Sequence, residues 1–170
     1  MLRRPSPRVM MCAMATLLLA LAIVFTGLYA GFMLTFQVSV MPALARLSDD
    51  QFLPAMRRIN EVVPRPVFLL LFIGIIAFPA AALAVPVEGR TDTQLWLIVA
   101  GLGCAVVNHL ITIAGNIPLN NALAAAENAS PAAPDNEVRA AFEPRWNLLH
   151  LIRTLFTLAS FALLVVAALQ

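Results

Sequence analysis

Four long apolar segments dominate the chain, and three more polar connections separate them. They cover about residues 9–40, 67–86, 94–115 and 147–169. The first carries no charged residue between Arg8 and Arg46. A helix of roughly 20 apolar residues crosses the ~30 Å hydrocarbon core of a bilayer, so each segment is long enough to span it. The pattern predicts an all-α fold, a four-transmembrane-helix bundle that forms a single integral membrane domain over residues 1–170.

The composition agrees with a membrane protein and argues against a soluble domain. Hydrophobic residues make up 61% of the chain and charged residues 12%, and the mean hydropathy is +0.88. An average soluble domain is less apolar and more charged. The formal net charge of +2, without a basic stripe, indicates no nucleic-acid partner. Cys12 and Cys104 lie inside apolar segments and lack the spacing of a metal motif, so we expect them to pack.

The first segment starts behind a basic cluster, Arg3, Arg4 and Arg8. Its apolar run is far longer than the ~7–15 residues of a secretory signal, which predicts an uncleaved helix. The basic cluster favours an N-terminus in the cytoplasm, and four spans would place the C-terminus there too. The expected location is the bacterial cytoplasmic (inner) membrane. The other charges disagree with this orientation, because most of the remaining Arg residues lie on the opposite side: Arg46, Arg57, Arg58, Arg65, Arg139 and Arg145.

The two long connections, 41–66 and 116–146, emerge on the same face of the predicted bundle. Function is more often found on long connections than on short turns. In the first of them, Phe52, Met56, Ile59 and Val63 recur at helical spacing behind Ser48, an N-cap residue. This predicts a short amphipathic helix in the first long loop. Its Pro54 predicts a late start or a kink, and Pro118 predicts that the third span ends or bends there.

The two halves of the chain show a faint similarity. Pro42 and Pro118 follow the first and third segments, and FLPAMRRIN in the first half loosely resembles FEPRWNLLH in the second. Two repeated helical hairpins would give such a pattern, but the gaps required are so generous that chance explains it better. The small residues of GLYAG, 27–31, predict close helix packing.

Ionisable and polar side chains inside the last two apolar segments are the strongest functional signal. On the third, His109, Thr112 and Asn116 share one helix face; the fourth carries a polar stripe made of Trp146, His150, Arg153, Thr157 and Ser160. Because the second long connection joins these two helix ends, a polar pocket just beneath that face is geometrically reasonable. Such residues are costly in a bilayer and mark functional sites. Each of these residues could instead have a purely structural role. Arg153 could extend to the membrane–water interface, and Trp146 could belong to the aromatic belt at that interface. A neutral His109 could link helices by a hydrogen bond to Asn108 or Asn116.

Three motifs resemble those of the anthrone oxygenase-like family of small four-helix membrane proteins: AMRRIN, GNIPLNNAL and RWNLLHLIRTL. Characterised members convert an anthrone to an anthraquinone with O₂, without an evident metal or flavin, and many bacterial members have no known function. The resemblance implies an oxygenase without a cofactor and without a metal site, acting on a hydrophobic small molecule within membrane lipid. By motif it points to Asn116, Pro118, Asn120, Trp146, Asn147, His150 and Arg153.

The chemistry of these side chains suggests a role for each. His150 is the natural base for an activated aromatic CH₂, because imidazole changes protonation near neutral pH. Arg153, together with Asn116 or Asn120, would stabilise the developing phenolate by charge and hydrogen bonding. Trp146 would stack on a flat substrate, and the remaining substrate-binding candidates are Asn120, Asn147 and His109. These assignments predict catalytic residues His150, Arg153 and Asn116.

Two other functions remain open at this stage. The chain could be a non-enzymatic membrane scaffold or a carrier of small molecules. It could also be a redox protein in which His109 and His150 bind haem, although two histidines without a nearby intramembrane carboxylate make a sparse ligand set. A homo-oligomer is compatible with every one of these functions.

Overall fold

The computed structural model describes residues 6–130 and 133–170, and these residues form helices and short connections without a strand. Arg3 and Arg4, on which the predicted orientation depends, lie outside the described residues. The chain order is α1 Pro7–Thr35, a π-helical segment Phe36–Val40, α2 Met41–Leu44, α3 Asp49–Val62, α4 Pro66–Ala84, α5 Asp92–Ile111, a second π-helical segment Thr112–Asn116, α6 Ile117–Ala125, a 3₁₀ turn Ala126–Asn128 and α7 Asp135–Ala168.

Four helical stretches are long and apolar enough to cross a membrane: Arg8–Leu44, Pro66–Ala84, Asp92–Asn128 and Asp135–Ala168. This confirms the predicted four-span helical bundle. The first and third stretches are each 37 residues long, whereas ~20 suffice to cross the hydrocarbon. They therefore continue beyond the membrane as α2 and α6, and the fourth begins outside it.

The amphipathic helix predicted in the first long loop is α3. Ser48 stands at its N-cap position with extended backbone angles, and Asp49 and Asp50 occupy its first turn, where acidic side chains favour the positive end of the helix dipole. The prediction of a late start was wrong, because α3 begins at Asp49 and continues through Pro54. Pro118 does not end the third span either. It is the second residue of α6, directly after the π-helical segment.

Helix α3 is anchored over one end of the bundle. Its apolar side chains Phe52, Leu53 and Met56 are fully buried and pack in one cluster with Met41, Leu123, Phe142 and Trp146. Burial of each large apolar side chain contributes about 1.5–3 kcal/mol relative to exposure, so α3 is held firmly against α2, α6 and α7.

Arg139 of α7 clamps the same end of the bundle. Its guanidinium pairs with Glu143 at 2.6 Å and with Asp49 at 2.9 Å, donates to the carbonyl oxygen of Leu47 at 2.8 Å, and lies 4.3 Å from the centroid of the Phe52 ring. This charged group thus ties the start of α3 to the start of α7.

The backbone of the two halves matches in an unusual detail. Each half contains a five-residue π-helical segment, Phe36–Val40 and Thr112–Asn116. Each is followed by a short helix whose second residue is proline, Pro42 in α2 and Pro118 in α6. π-helical turns are rare, so this correspondence favours two repeated hairpins over chance.

Candidate functional site

His150 and Arg153 of α7 form the centre of a buried polar cluster. Arg153 directs Nε and one terminal nitrogen at Nδ1 of His150, at 3.2 and 3.0 Å. Because a guanidinium only donates hydrogen bonds, Nδ1 must be the unprotonated acceptor. Nε2 of His150 therefore carries the hydrogen and donates to the carbonyl oxygen of Met33 at 3.0 Å. The imidazole is neutral, and both of its nitrogens are engaged.

Aromatic side chains hold the His150 ring in place. The Trp146 ring stacks on it with 4.8 Å between centroids and 16° between planes, and Phe36 meets it edge-on at 6.1 Å. The ring is fully buried. His150 lies behind Trp146 and Arg153, and these two residues, not His150, line the neighbouring cavity.

Arg153 joins α7 to α5 as well as to His150. One of its terminal nitrogens donates to Oγ1 of Thr112 at 3.2 Å, and that hydroxyl in turn donates to the carbonyl oxygen of Asn108 at 2.9 Å. The Arg153 side chain is buried, with 6% exposure. Its position is therefore fixed by neutral partners on two helices.

No carboxylate neutralises Arg153 among residues 6–130 and 133–170. The ion pairs of these residues involve four other arginines. Arg8 lies near the start of α1, Arg57 and Arg58 lie in α3, and Arg139 lies near the start of α7. A buried cation without a counter-ion is costly, especially in a membrane. An anionic oxygen placed against the guanidinium would offset this cost.

A cavity of about 150 Å³ lies directly against the guanidinium. Aromatic and aliphatic side chains form most of its wall, including Phe32, Met33, Phe36, Phe68 and Phe72; its polar lining residues are Asn60, Thr112, Asn116, Asn120 and Arg153, with Trp146 beside them. An apolar cavity with a few converging polar groups is the usual form of a small-molecule site.

Two polar atoms in this lining have no hydrogen-bond partner in the described part of the chain. They are Nδ2 of Asn60 and Oδ1 of Asn116. The second is held in place because Nδ2 of Asn116 donates to the carbonyl oxygen of Trp146 at 3.4 Å. Buried polar groups are nearly always satisfied, so a ligand that supplies an acceptor for Asn60 and a donor for Asn116 would complete the hydrogen bonding of this lining.

More unsatisfied polar atoms lie deeper in the bundle. Both side-chain polar atoms of Asn108 and the Tyr29 hydroxyl lack a partner within the described residues, and both residues are fully buried. Tyr29 lies beside Asn108 and Thr112. The polar cluster thus continues inward from the cavity behind Thr112.

The two π-helical segments position this site. Thr112 and Asn116 are the first and last residues of the second segment, and Phe36 is the first residue of the other. Met33, whose carbonyl holds His150, stands three residues before Phe36. π-helical turns occur frequently at functional sites, and here both of them border one cavity.

The structure brings together five of the seven sequence-predicted site residues: Asn116, Asn120, Trp146, His150 and Arg153. The indole Nε1 of Trp146 donates to Oδ1 of Asn120 at 2.9 Å, which adds α6 to the cluster. Asn147 is half-buried, and it is not part of the cavity lining. It follows Trp146 on α7 and is turned away from the cavity.

His109 does not share the pocket as the sequence predicted. Its Nδ1 donates to the carbonyl oxygen of Ala105 at 3.0 Å, and its ring stacks on Phe72 of α4 at 3.8 Å. The buried face of this helix instead passes through Ala105, Asn108 and Thr112. His109 lies one residue beyond that face, about 100° around the helix, and so it faces α4.

Sequence reasoning missed Asn60, Asn108 and Tyr29. A signal for Asn60 was present, because it stands four residues after Met56 and eight after Phe52, on the apolar face of α3. A polar residue on that face needs a polar partner. Asn108 entered the sequence analysis only as a possible partner of His109, and Tyr29 carried no comparable signal. The two residues come together in the interior of the bundle, where α4 and α7 hold α1 and α5 on opposite sides.

A comparison with protein families places the chain among known sequences. A model of the anthrone oxygenase family matches residues 52–163, more than half of the chain. The chain belongs to the anthrone oxygenase family. The matched region of this anthrone oxygenase family member includes Asn60, Asn116, Trp146, His150 and Arg153, whereas Tyr29 and Met33 precede it. No match was found among curated proteins or among solved structures.

The side chains around the cavity offer few ligands for a metal or haem. Within residues 6–130 and 133–170, no three His, Cys, Asp or Glu side chains are grouped as metal ligands. A haem iron would need a ring nitrogen of His150, and those nitrogens are engaged by Arg153 and Met33. The arrangement of His150 therefore does not fit an axial haem ligand.

Proposed function

We propose that this protein is a membrane-embedded oxygenase that acts with O₂ on an activated aromatic CH₂ group, as found in an anthrone. The observation that carries the proposal is the buried guanidinium of Arg153, which has no carboxylate partner in the described part of the chain and borders a cavity walled by aromatic rings. An anthrone is flat and apolar while neutral. Removal of one CH₂ proton places negative charge on its oxygen, which is the group that Arg153 would stabilise.

The first step is proton transfer from the CH₂ carbon. In the resting structure Arg153 separates Nδ1 of His150 from the cavity. The guanidinium therefore has to move toward the substrate oxygen, and only then does Nδ1 lose its donors and face the substrate carbon to accept this proton. The resting contact between the two residues thus keeps the base covered until substrate is present. This assigns His150 the role of base and Arg153 the role of electrostatic stabiliser.

The remaining steps need no external reductant. The carbanion gives one electron to O₂, and the resulting radical pair forms a carbon–oxygen bond. The peroxide anion takes the proton back from His150. Loss of the second CH proton with cleavage of the O–O bond then leaves a ketone and releases hydroxide, which is protonated to water. In total, one CH₂ and one O₂ become one C=O and one H₂O.

A carrier of flat apolar molecules is the second candidate. The same cavity would bind an aromatic molecule without consuming oxygen, and the unpartnered Asn60 and Asn116 atoms suit a bound ligand in either case. The two functions differ in whether His150 is needed for anything beyond binding.

Oxygen consumption by the purified protein with anthrone tests the proposal. We expect uptake of one O₂ for each anthraquinone formed, strongly reduced in Arg153→Met and in His150→Gln. Arg46→Gln, which removes an exposed positive charge from the cap, is the control and should retain activity. Anthrone binding without oxygen uptake above the protein-free rate would favour the carrier instead.

The orientation in the membrane belongs to the same proposal. With both termini in the cytoplasm, the cap formed by α3 and the start of α7 faces the opposite side of the bacterial inner membrane. Reaction of the single cysteine in Arg46→Cys, with Cys12 and Cys104 replaced, tests this in intact cells. An impermeant thiol reagent should label it from outside, and labelling only after lysis would reverse the orientation.

A further inference from the structure

We propose that the substrate enters the cavity sideways from the bilayer, through a portal between the first turn of α4 and the start of α6. Leu69 and Ile117 form its rim. Both line the cavity, and both are also exposed on the outer surface of the bundle, by 42% and 43%. Only the identity of the entering molecule, an anthrone-like aromatic compound, rests on the proposed function. The portal itself is inferred from the positions and exposure of Leu69 and Ile117.

The rim lies where a bilayer-dissolved molecule would meet it. Leu69 is in the first turn of α4, and Ile117 is the first residue of α6. α4 is one of the membrane-spanning helices, so its first turn marks the boundary between hydrocarbon and headgroups. Flat aromatic molecules with an oxygen substituent concentrate at this depth, as Trp and Tyr side chains do.

The route from the aqueous side is closed by α3. Ile59 of this helix and Val63, the C-cap residue that follows it, line the cavity on this side. Phe52, Leu53 and Met56 are fully buried on the inner face of α3. Lifting α3 would expose all three of these side chains and break the Arg139 clamp. The side opening requires no such rearrangement.

Aromatic rings form a continuous wall from the rim to the guanidinium. Phe68 and Phe72 of α4 stack with 5.9 Å between centroids, and Phe68 meets Phe32 of α1 at 5.5 Å. Phe72 is backed by the ring of His109 at 3.8 Å. This wall matches an uncharged, flat aromatic molecule that becomes anionic only when it reaches Arg153. It also gives His109 a role as the support of the portal wall.

Chemical labelling inside the cavity tests the portal without relying on catalysis. Thr112 lines the cavity and is nearly buried, so Thr112→Cys reports access when Cys12 and Cys104 are both replaced by alanine. The probes are N-phenylmaleimide, which dissolves in the bilayer, and a sulfonated maleimide, which stays in water. The reaction is run on open membrane fragments, so that water reaches both faces.

Leu69→Tyr and Ile117→Tyr narrow the rim, and Leu70→Tyr and Ile113→Tyr are the matched controls. Leu70 and Ile113 stand on the same two helical stretches, are exposed by 59% and 56%, and do not line the cavity. We expect rim variants to slow labelling by N-phenylmaleimide about tenfold, which corresponds to roughly 1.4 kcal/mol of added barrier. The controls should leave the rate unchanged.

The outcomes separate the portal from the proposed function. Faster labelling by the sulfonated reagent, equal labelling rates in rim and control variants, or no labelling of Thr112→Cys by either reagent would each overturn the portal. The expected labelling pattern in the Thr112→Cys variants, combined with a wild-type protein that consumes no oxygen, would retain the portal and reject the oxygenase assignment.

Discussion

Nδ1 of His150 accepts hydrogen bonds from Nε and a terminal nitrogen of Arg153, at 3.2 and 3.0 Å. A candidate base and a candidate oxyanion partner thus occupy each other in the resting structure. Substrate must exchange this contact for one of its own before either group acts.

His150→Gln and His150→Ala separate proton transfer from positioning. Glutamine can still accept a hydrogen bond from Arg153 but cannot act as a base at neutral pH. We expect both variants to lose oxygen uptake by about 10²–10⁴-fold, while only the alanine variant also binds anthraquinone more weakly. Binding is measured by quenching of Trp146 fluorescence in a Trp96→Phe background. Substantial turnover by His150→Gln would show that the residue positions Arg153 and is not the base.

Arg153→Met should remove activity without removing stability. The guanidinium is buried without a carboxylate partner among the described residues, and replacing buried charges by apolar side chains of similar size is often neutral or stabilising. We expect oxygen uptake to fall by about 10²–10³-fold and the Tm in detergent to stay equal or rise. A clear fall in Tm would mean that Arg153 serves mainly to hold the helices together.

Asn60→Leu tests the ligand contact that α3 provides. Asn60 lines the cavity, and its Nδ2 has no protein partner among the described residues, so leucine should not destabilise the fold. A lost hydrogen bond of about 0.5–1.5 kcal/mol should raise the KM for anthrone several-fold and leave kcat nearly unchanged. Asn121→Leu, at an exposed position of α6, is the control. An unchanged KM would exclude Asn60 from the substrate site.

Alanine substitutions at Gly74 and Gly31 provide a matched test of helix packing. A Cβ on Gly74 would collide with the Phe25 ring, whereas a Cβ on Gly31 meets nothing within 4 Å. Gly74→Ala should therefore lower the free energy of unfolding by about 1–3 kcal/mol, and Gly31→Ala should stay within about 0.5 kcal/mol of the wild type or stabilise slightly. Thermal melting in one detergent compares the two, and equal losses would contradict the close packing of α1 on α4.

Gly31 and Gly74 also show which details of helix packing the sequence could not predict. The GLYAG pattern, 27–31, predicted close packing through its small residues. In the structure, Gly27 faces the Phe161 ring at close range, and Gly31 faces open space. A small-residue pattern identifies a helix face that permits close approach, but the partner helix decides which of its residues is used. Gly74, which has the tightest contact, lies outside the pattern.

The bundle and much of the site were predictable because the constraints that a bilayer imposes can be read directly from the sequence. Hydrocarbon thickness sets the length of the apolar segments, and the cost of burying ionisable groups identified His150 and Arg153. The exact face of the third span was not predictable in the same way. A stripe drawn through His109 assumes a regular helix, whereas the π-helical segment Thr112–Asn116 changes the register and leaves Asn108 on the buried face.

The π-helical segments have a consequence for how this protein could have acquired its chemistry. One residue inserted into a helix rotates everything after it by about 100° without changing any side chain. After the second segment, this rotation affects all of α6, including Asn120, which contacts Trp146. In the first half the same irregularity lies beside Met33, which offers a backbone carbonyl to His150. The two π-helical segments are thus unlike parts of a single site: the second supplies the Thr112 and Asn116 side chains, and the first supplies the Phe36 ring next to the Met33 carbonyl.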